Sequence, residues 1–169
     1  MPAQRRVFLA LSLCALLPSA VAATFIRDQV RVELPDGWRD ASEPDVAAFE
    51  NPAHLQQLVL GEYRFREKLP HAAAQALHRQ YTDLRRGTEI EFFQGQATIG
   101  EPTYELRSNV PISSYAGSHP ASGTRFRTTI LLLESGLLSL RYESRHPTEL
   151  QFERAAEAIL SGVSIRAAQ

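Results

Sequence analysis

The chain has 169 residues, of which 44% are hydrophobic and 22% are charged, and its formal net charge is -1. This composition predicts one folded globular domain and excludes a long disordered or collagen-like chain. The near-neutral charge gives no electrostatic reason to bind nucleic acid, and a single cysteine excludes a disulfide scaffold.

Residues 1–23 have the three parts of a secretory signal peptide. Arg5 and Arg6 precede an apolar run over residues 7–17, and Ala20-Val21-Ala22 supplies the small residues that a signal peptidase reads. An apolar run of about 11 residues is too short to cross roughly 30 Å of hydrocarbon as a stable anchor. We therefore predict a periplasmic protein with no stable membrane span after cleavage.

The rest of the chain, residues 24–169, is predicted to form a single domain. A lipoprotein would use Cys14 of the leader for lipid attachment. The residue before that cysteine is the large Leu13, whereas lipid attachment favours a small residue there. Lipid anchoring is therefore disfavoured.

The first predicted elements are strands. Alternating apolar residues indicate strands over residues 29–34, 46–50 and 55–65. Pro35-Asp36-Gly37-Trp38 ends the first of them in a tight turn. We expect Trp38 to close the core rather than to bind a ligand.

The first predicted helix begins at Pro70 and ends just before Gly87, with proline at its start and glycine just past its end. Its expected buried stripe is Ala73, Leu77, Tyr81 and Leu84. Short extended segments follow over residues 89–93, 96–99 and 103–112, with Glu89 and Glu91 on a solvent-exposed face. Residues 113–123 are rich in Ser, Gly and Pro and predict a surface loop.

A hairpin and a second helix complete the predicted domain. A three-residue loop, residues 134–136, would pair Leu133 with Leu137. That register gathers the apolar side chains on one face and places Arg127 opposite Glu143. A helix then follows from Thr148 to Gly162, with Thr148 and Gln151 in capping-box spacing, before a short edge strand over 163–166.

Both ends of the domain contain motifs typical of one superfamily. Residues 32–38 read as an opening strand followed by Pro-x-Gly-Trp, and the hairpin over 124–144 precedes a helix that ends in residues 159–164. With these motifs at its two ends and this order of elements, the chain resembles the PsbP, Mog and DcrB-like proteins. The resemblance implies an α+β fold, an α/β/α sandwich in which helices flank a mainly antiparallel sheet.

The same resemblance implies a binding or scaffold role. Members include an extrinsic photosystem subunit, a Ran-binding protein, bacterial envelope proteins and partners of secreted toxins. The shared fold implies no enzymatic activity and transfers no site residue to this chain.

The residues themselves predict no catalytic centre, metal or cofactor. There is no Gly-x-Ser-x-Gly motif, and adjacent residues such as Ser118 and His119 seldom form a nucleophile–base pair. His71 and His78 would lie about 10 Å apart on a helix, too far for one ion. The acidic residues between 36 and 45 lack the alternating spacing of a calcium loop.

The predicted functional surface is a partner-binding site on the 113–123 loop and the hairpin. An exposed Tyr115 would act as a contact anchor. Beside it, Arg125, Arg127, Arg141 and Arg145 would form a basic strip on the outer face of the hairpin, open to an acidic partner unless Glu143 and the acids of the helices neutralise it. The predicted site residues are Tyr115, His119, Arg125, Arg127 and Arg141.

The predicted function is that of a non-enzymatic periplasmic binding or scaffold module that recognises a protein partner, with envelope maintenance as one role. Two alternatives remain open at this point. One is an immunity protein that neutralises a secreted toxin in the periplasm. The other is a small hydrolase, which would need a deep pocket with convergent polar groups.

Overall fold

The structure, a computed structural model, describes residues 23–27 and 30–165. The predicted signal peptide lies outside the described residues apart from Ala23, so it stays a prediction, as do the domain limits. The helices are α1 (His71–Phe92) and α2 (Glu149–Ser161). The strands are β1 (Thr24–Arg27), β2 (Val30–Glu33), β3 (Arg39–Asp40), β4 (Ala47–Asn51), β5 (Gln56–Arg64), β6 (Thr98–Ile99), β7 (Thr103–Arg107), β8 (Val110–His119), β9 (Thr124–Leu133), β10 (Gly136–Arg145) and β11 (Val163–Ile165).

The strands form two antiparallel sheets. The larger has the order β3-β4-β5-β10-β9-β8-β6, and β7 also pairs with β8. The smaller has the order β1-β2-β11. Helix α1 packs on one face of the larger sheet, whereas α2 and the smaller sheet cover the other face. This is the predicted α+β architecture. Within the described residues, neither helix has the length and apolarity needed to cross a membrane.

The main core lies between the larger sheet and α2. Val32 and Leu58 are fully buried there, and Phe152 and Ile159 of α2 pack against them. Trp38 belongs to the same core and is 5% exposed, as expected for a side chain that closes it. Burial of side chains of this size stabilises the fold by roughly 1.5–3 kcal/mol each.

Helix α2 begins and ends as its sequence predicts. The Thr148 hydroxyl accepts a hydrogen bond from the Gln151 backbone N–H, and the Gln151 side chain accepts one from the Thr148 N–H at 2.9 Å. At the other end, a Cβ on Gly162 would lie 2.0 Å from the Glu33 carbonyl oxygen. Glycine therefore lets the chain leave α2 directly against β2 and form β11.

The predicted register of the β9–β10 hairpin is wrong by one residue. Leu132, not Leu133, pairs with Leu137, so the loop has two residues. The physical reason is the position of Gly136, whose added Cβ would lie 2.1 Å from the Tyr63 carbonyl oxygen of β5. This glycine serves close strand packing rather than the left-handed turn assumed in the prediction.

The predicted 113–123 loop is also wrong, because most of it is strand β8. The small residues of β8 lie where α1 and neighbouring side chains pack closely against the sheet. Ser113 is fully buried, and a Cβ on Gly117 would lie 2.3 Å from the Phe126 ring. Only residues 120–123 leave the strands, as a short 3₁₀ turn over residues 120–122 that is followed by Gly123.

Helix α1 continues past its predicted end. Residues 89–92 are helical rather than extended, and the Cβ that Gly87 lacks would meet nothing within 4 Å. The buried stripe is Ala74, His78, Thr82 and Glu89. The predicted stripe is correct only in part, since Tyr81 packs against the cluster around Ala74 whereas Leu84 is 65% exposed.

Candidate functional site

The contact between α1 and the sheet changes from apolar to polar along the helix. Near its start, Ala74 packs in a small cluster with Leu132, Leu137 and Ile130. The next residue of β9 on this face is Thr128, which contacts Glu89 near the end of α1. The last part of the helix therefore sits over polar groups.

A closed hydrogen-bond cycle joins the middle of α1 to β8. The Thr82 hydroxyl donates to the His78 carbonyl at 2.8 Å, so it must accept from the Ser113 hydroxyl at 2.7 Å. Ser113 in turn accepts from His78 Nε2, which lies 3.0 Å from both the Ser113 oxygen and the Ile130 carbonyl.

These directions place the His78 proton on Nε2, because a carbonyl oxygen can only accept. An imidazole nitrogen that already has its proton cannot deprotonate Ser113. Ser113 is also completely buried. This serine–histidine pair therefore holds the helix on the sheet and does not provide a nucleophile.

We predict a specific acid sensitivity from His78. Burial lowers its pKa below the ordinary histidine value, and the neighbouring Arg79 charge lowers it further. As the pH falls through the unfolded-state pKa of about 6.5, His78 takes up a proton in the unfolded chain but stays neutral in the folded chain. The free energy of unfolding should therefore fall between pH 7 and pH 5.

The measurement is urea denaturation at both pH values, with His78→Gln as the matched variant. Glutamine retains an N–H donor for the Ile130 carbonyl and does not titrate. The wild type should lose more stability than this variant over the interval. Equal losses in the two proteins would show that His78 does not cause the effect.

A second polar cluster lies beneath the end of α1. Glu89 is 6% exposed, and its Oε1 accepts from the Thr128 hydroxyl at 3.0 Å and from Arg141 Nε at 3.2 Å. Arg141 also pairs with Glu143 at 2.6 Å. Tyr115 is nearby, and its burial, together with the Glu89 charge, raises its pKa to about 12. Its phenol is therefore neutral at physiological pH.

Stacked rings form a rigid wall beside this cluster. Phe93 stacks on Phe126 and on His119, each at a centroid distance of 5.4 Å. His119 Nε2 lies 3.3 Å from Gln96 Oε1, while Nδ1 accepts the Ser122 backbone N–H. The ring of His119 is thus fixed by contacts on both edges.

Between the polar cluster and the aromatic wall lies an open groove of about 740 Å³. We call it the α1 groove and define it by Arg85, Glu89, Phe92, Phe93, His119, Arg141, Glu143 and Arg145. Phe92 stands at the groove with 76% of its surface exposed.

The α1 groove contains two of the five predicted site residues, His119 and Arg141. Tyr115 does not fit its predicted role, because it is 2% exposed and cannot be a surface anchor. Because side chains alternate along β8, Tyr115 lies under α1. The Ser- and Gly-rich composition of residues 113–123 did not indicate this position.

The predicted arginine strip is divided between the two faces of the sheet. Arg141 and Arg145 face α1, while Arg125 and Arg127 face α2, because the observed register differs by one residue. Arg127 pairs with Glu153 at 2.6 Å, and Arg125 lies 3.8 Å from Glu149. The prediction of one continuous basic strip is therefore wrong, and glutamates of α2 neutralise Arg125 and Arg127.

Sequence reasoning missed Arg85, Phe92 and Phe93 as groove residues. The signal that could have found them is the spacing of 74, 78, 82, 85, 89 and 93, which continues one helical face past Gly87. Polar residues occupy most of that face, so a search for apolar periodicity passes over it.

The described residues contain no group of three or more His, Cys, Asp or Glu side chains placed to hold a metal ion. His78 is buried in its hydrogen-bond cycle. Ser118 and His119 are consecutive residues of β8, and the ring nitrogens of His119 contact Ser122 and Gln96 instead.

No protein-family model and no curated protein matches this chain. Among solved structures, the chain is similar to the cyanobacterial PsbP protein CyanoP from Synechocystis sp. PCC 6803. The TM-score is 0.60 at 10% identity, over 92% of this chain and 98% of that one. A structure from Bacteroides thetaiotaomicron aligns with a TM-score of 0.47 at 10% identity, over 86% of this chain and 49% of the other. The chain has a PsbP-like fold.

Proposed function

We propose that this chain is a non-enzymatic periplasmic binding module that recognises a protein partner through the α1 groove. The observation that supports it best is the open groove itself, with Phe92 exposed at its edge and arginines along its length. Aromatic and arginine side chains are the types most enriched at energetically important points of protein interfaces. A binding role also agrees with the resemblance to PsbP-like proteins.

The rigidity of the wall favours recognition without rearrangement. Phe93 is held between Phe126 and His119, and Arg141 is fixed by Glu89 and Glu143. A surface whose side chains are already ordered loses less conformational entropy when it binds.

The contact between the Ser122 hydroxyl and the His119 imidazole in the groove is explained by local structure. Ser122 Oγ lies 2.7 Å from His119 Nδ1, but the same nitrogen accepts the Ser122 backbone N–H. The Ser122 hydroxyl also lies within hydrogen-bond distance of Thr124 Oγ1, at 2.8 Å. This i, i+3 arrangement caps the 3₁₀ turn, as side chains at such turns commonly do.

Site-specific photo-crosslinking in the periplasm tests the proposal. A benzophenone amino acid replaces Phe92 in one protein and Leu150 in the control, since Leu150 is 60% exposed on α2. We expect a discrete protein adduct from position 92 that position 150 does not give. With the purified partner, Phe92→Ala should weaken the complex about tenfold or more, as for an interface hot spot. The proposal fails if both positions give the same adducts or if position 92 gives none.

A further inference from the structure

The α1 groove has positive charge that the described residues leave unpaired. Both of its glutamates form ion pairs with Arg141, Glu89 through Oε1 at 3.2 Å and Glu143 at 2.6 Å, and Glu89 Oε2 has no hydrogen-bond partner among the described residues. Arg85 and Arg145 line the same groove and form no ion pair within the described residues. Two guanidinium groups are therefore available to an incoming ligand.

Arg85 needs an acceptor more than a surface arginine does. Its side chain is half-buried, and its Nε is shielded from solvent with no hydrogen-bond partner among the described residues. A buried donor without a partner lowers stability until an acceptor reaches it. Carboxylates are well matched to a guanidinium because they accept two parallel hydrogen bonds.

Other arginines of the sheet are already occupied. On the opposite face, Arg107, Arg125 and Arg127 each reach a glutamate of α2. Those glutamates follow one another at four-residue spacing along the helix and neutralise that face. The charge of the α1 groove is thus a local feature rather than a consequence of overall composition.

We infer that the α1 groove binds an acidic, extended segment of the protein partner. One carboxylate pairs with Arg85, a second pairs with Arg145, and an apolar side chain of the segment packs on Phe92. This inference rests on the proposed function and adds the chemistry of the partner. Residues 1–22 and 166–169 of the chain contain no Asp or Glu side chain.

Fluorescence anisotropy with two synthetic probes tests this inference. One is a fluorescein-labelled octapeptide with four glutamates and one phenylalanine, and the other has glutamine in place of each glutamate. The wild-type protein should bind the acidic peptide at least about tenfold more tightly, with affinity that falls as salt rises.

Charge-removal variants locate the contact. Arg85→Gln should weaken binding of the acidic peptide about tenfold, and Arg145→Gln about threefold because Arg145 is exposed. Arg66→Gln is the matched control, since Arg66 is exposed and lies before α1, away from the groove residues. Circular dichroism verifies that each variant is folded.

Three results with the peptides would overturn the inference. They are equal affinity for both peptides, no affinity for either, and an Arg85→Gln variant that binds the acidic peptide as the wild type does. If sedimentation shows that the wild type forms oligomers and that Arg85→Gln dissociates them, the α1 groove binds the acidic segment of a second copy of this chain and not a partner protein. A protein adduct from position 92 without any effect of Arg85→Gln would leave the proposed function standing while removing its acidic chemistry.

Discussion

Replacing Arg141 with methionine should lower the free energy of unfolding by about 3 kcal/mol. The Arg141 side chain is 20% exposed and the Glu89 side chain, taken alone, only 9%, so the pair lies largely out of water. The substitution keeps most of the side-chain volume but leaves the Glu89 carboxylate buried without its cation. Urea denaturation at pH 7 measures the loss.

A double-mutant cycle separates the ion pair from general packing. Glu89→Gln keeps an acceptor for the Thr128 hydroxyl and removes the negative charge. We expect Glu89→Gln to rescue much of the Arg141→Met loss, because the double variant leaves only the more exposed Glu143 without its cation. If the two losses simply add, the ion pair does not determine the stability of this region.

Replacing Phe126 with alanine should cost about 4 kcal/mol of unfolding free energy. Phe126 is completely buried, and its ring fills the space that a Cβ on Gly117 would occupy. It also lies under Arg141, whose guanidinium is 4.8 Å from the ring centroid, and against Phe93 at 5.4 Å. The alanine therefore leaves a cavity and removes the support of the aromatic wall.

Phe126→Leu is the matched control, because leucine refills much of the volume without offering a flat ring. We expect a loss of about 1–2 kcal/mol for leucine. Both variants should bind the acidic octapeptide more weakly under conditions where they are folded, since Phe93, on which His119 stacks, loses the Phe126 ring. An alanine variant within about 1 kcal/mol of the wild type would mean that the ring is not packed as described.

The parts of the fold predicted well from sequence are those that apolar periodicity and local capping determine. Val30, Val32 and Leu34 alternate as a strand must, and Thr148 with Gln151 marks the start of α2. The order of these elements also predicted the PsbP-like fold. Such patterns act within a few residues along the chain and need no knowledge of tertiary neighbours.

The errors arose where a tertiary neighbour decides the residue type. Gly136 is a glycine because the Tyr63 carbonyl of β5 lies against it, and Gly117 because the Phe126 ring does. Read locally, each glycine indicates a turn or a loop. The hairpin register and the supposed 113–123 loop failed for this reason.

The candidate site was predicted only in part, for a related reason. His119 and Arg141 were singled out by residue type, and both line the α1 groove. Arg85 and Phe92 were missed because the last turns of α1 present a polar face to the sheet. Tyr115 was expected to be exposed because residues 113–123 were predicted to be a loop, whereas Tyr115 lies in strand β8.

The most direct test of the account is an NMR titration of the ¹⁵N-labelled protein with the acidic octapeptide, because amide shifts locate the binding surface residue by residue. The account predicts that the largest shifts fall within residues 85–96, 117–124 and 141–146, the segments that form the α1 groove. It also predicts that Arg85→Gln reduces these shifts while Arg66→Gln does not. Shifts concentrated on α2 or the smaller sheet, with the α1 groove unperturbed, would contradict it.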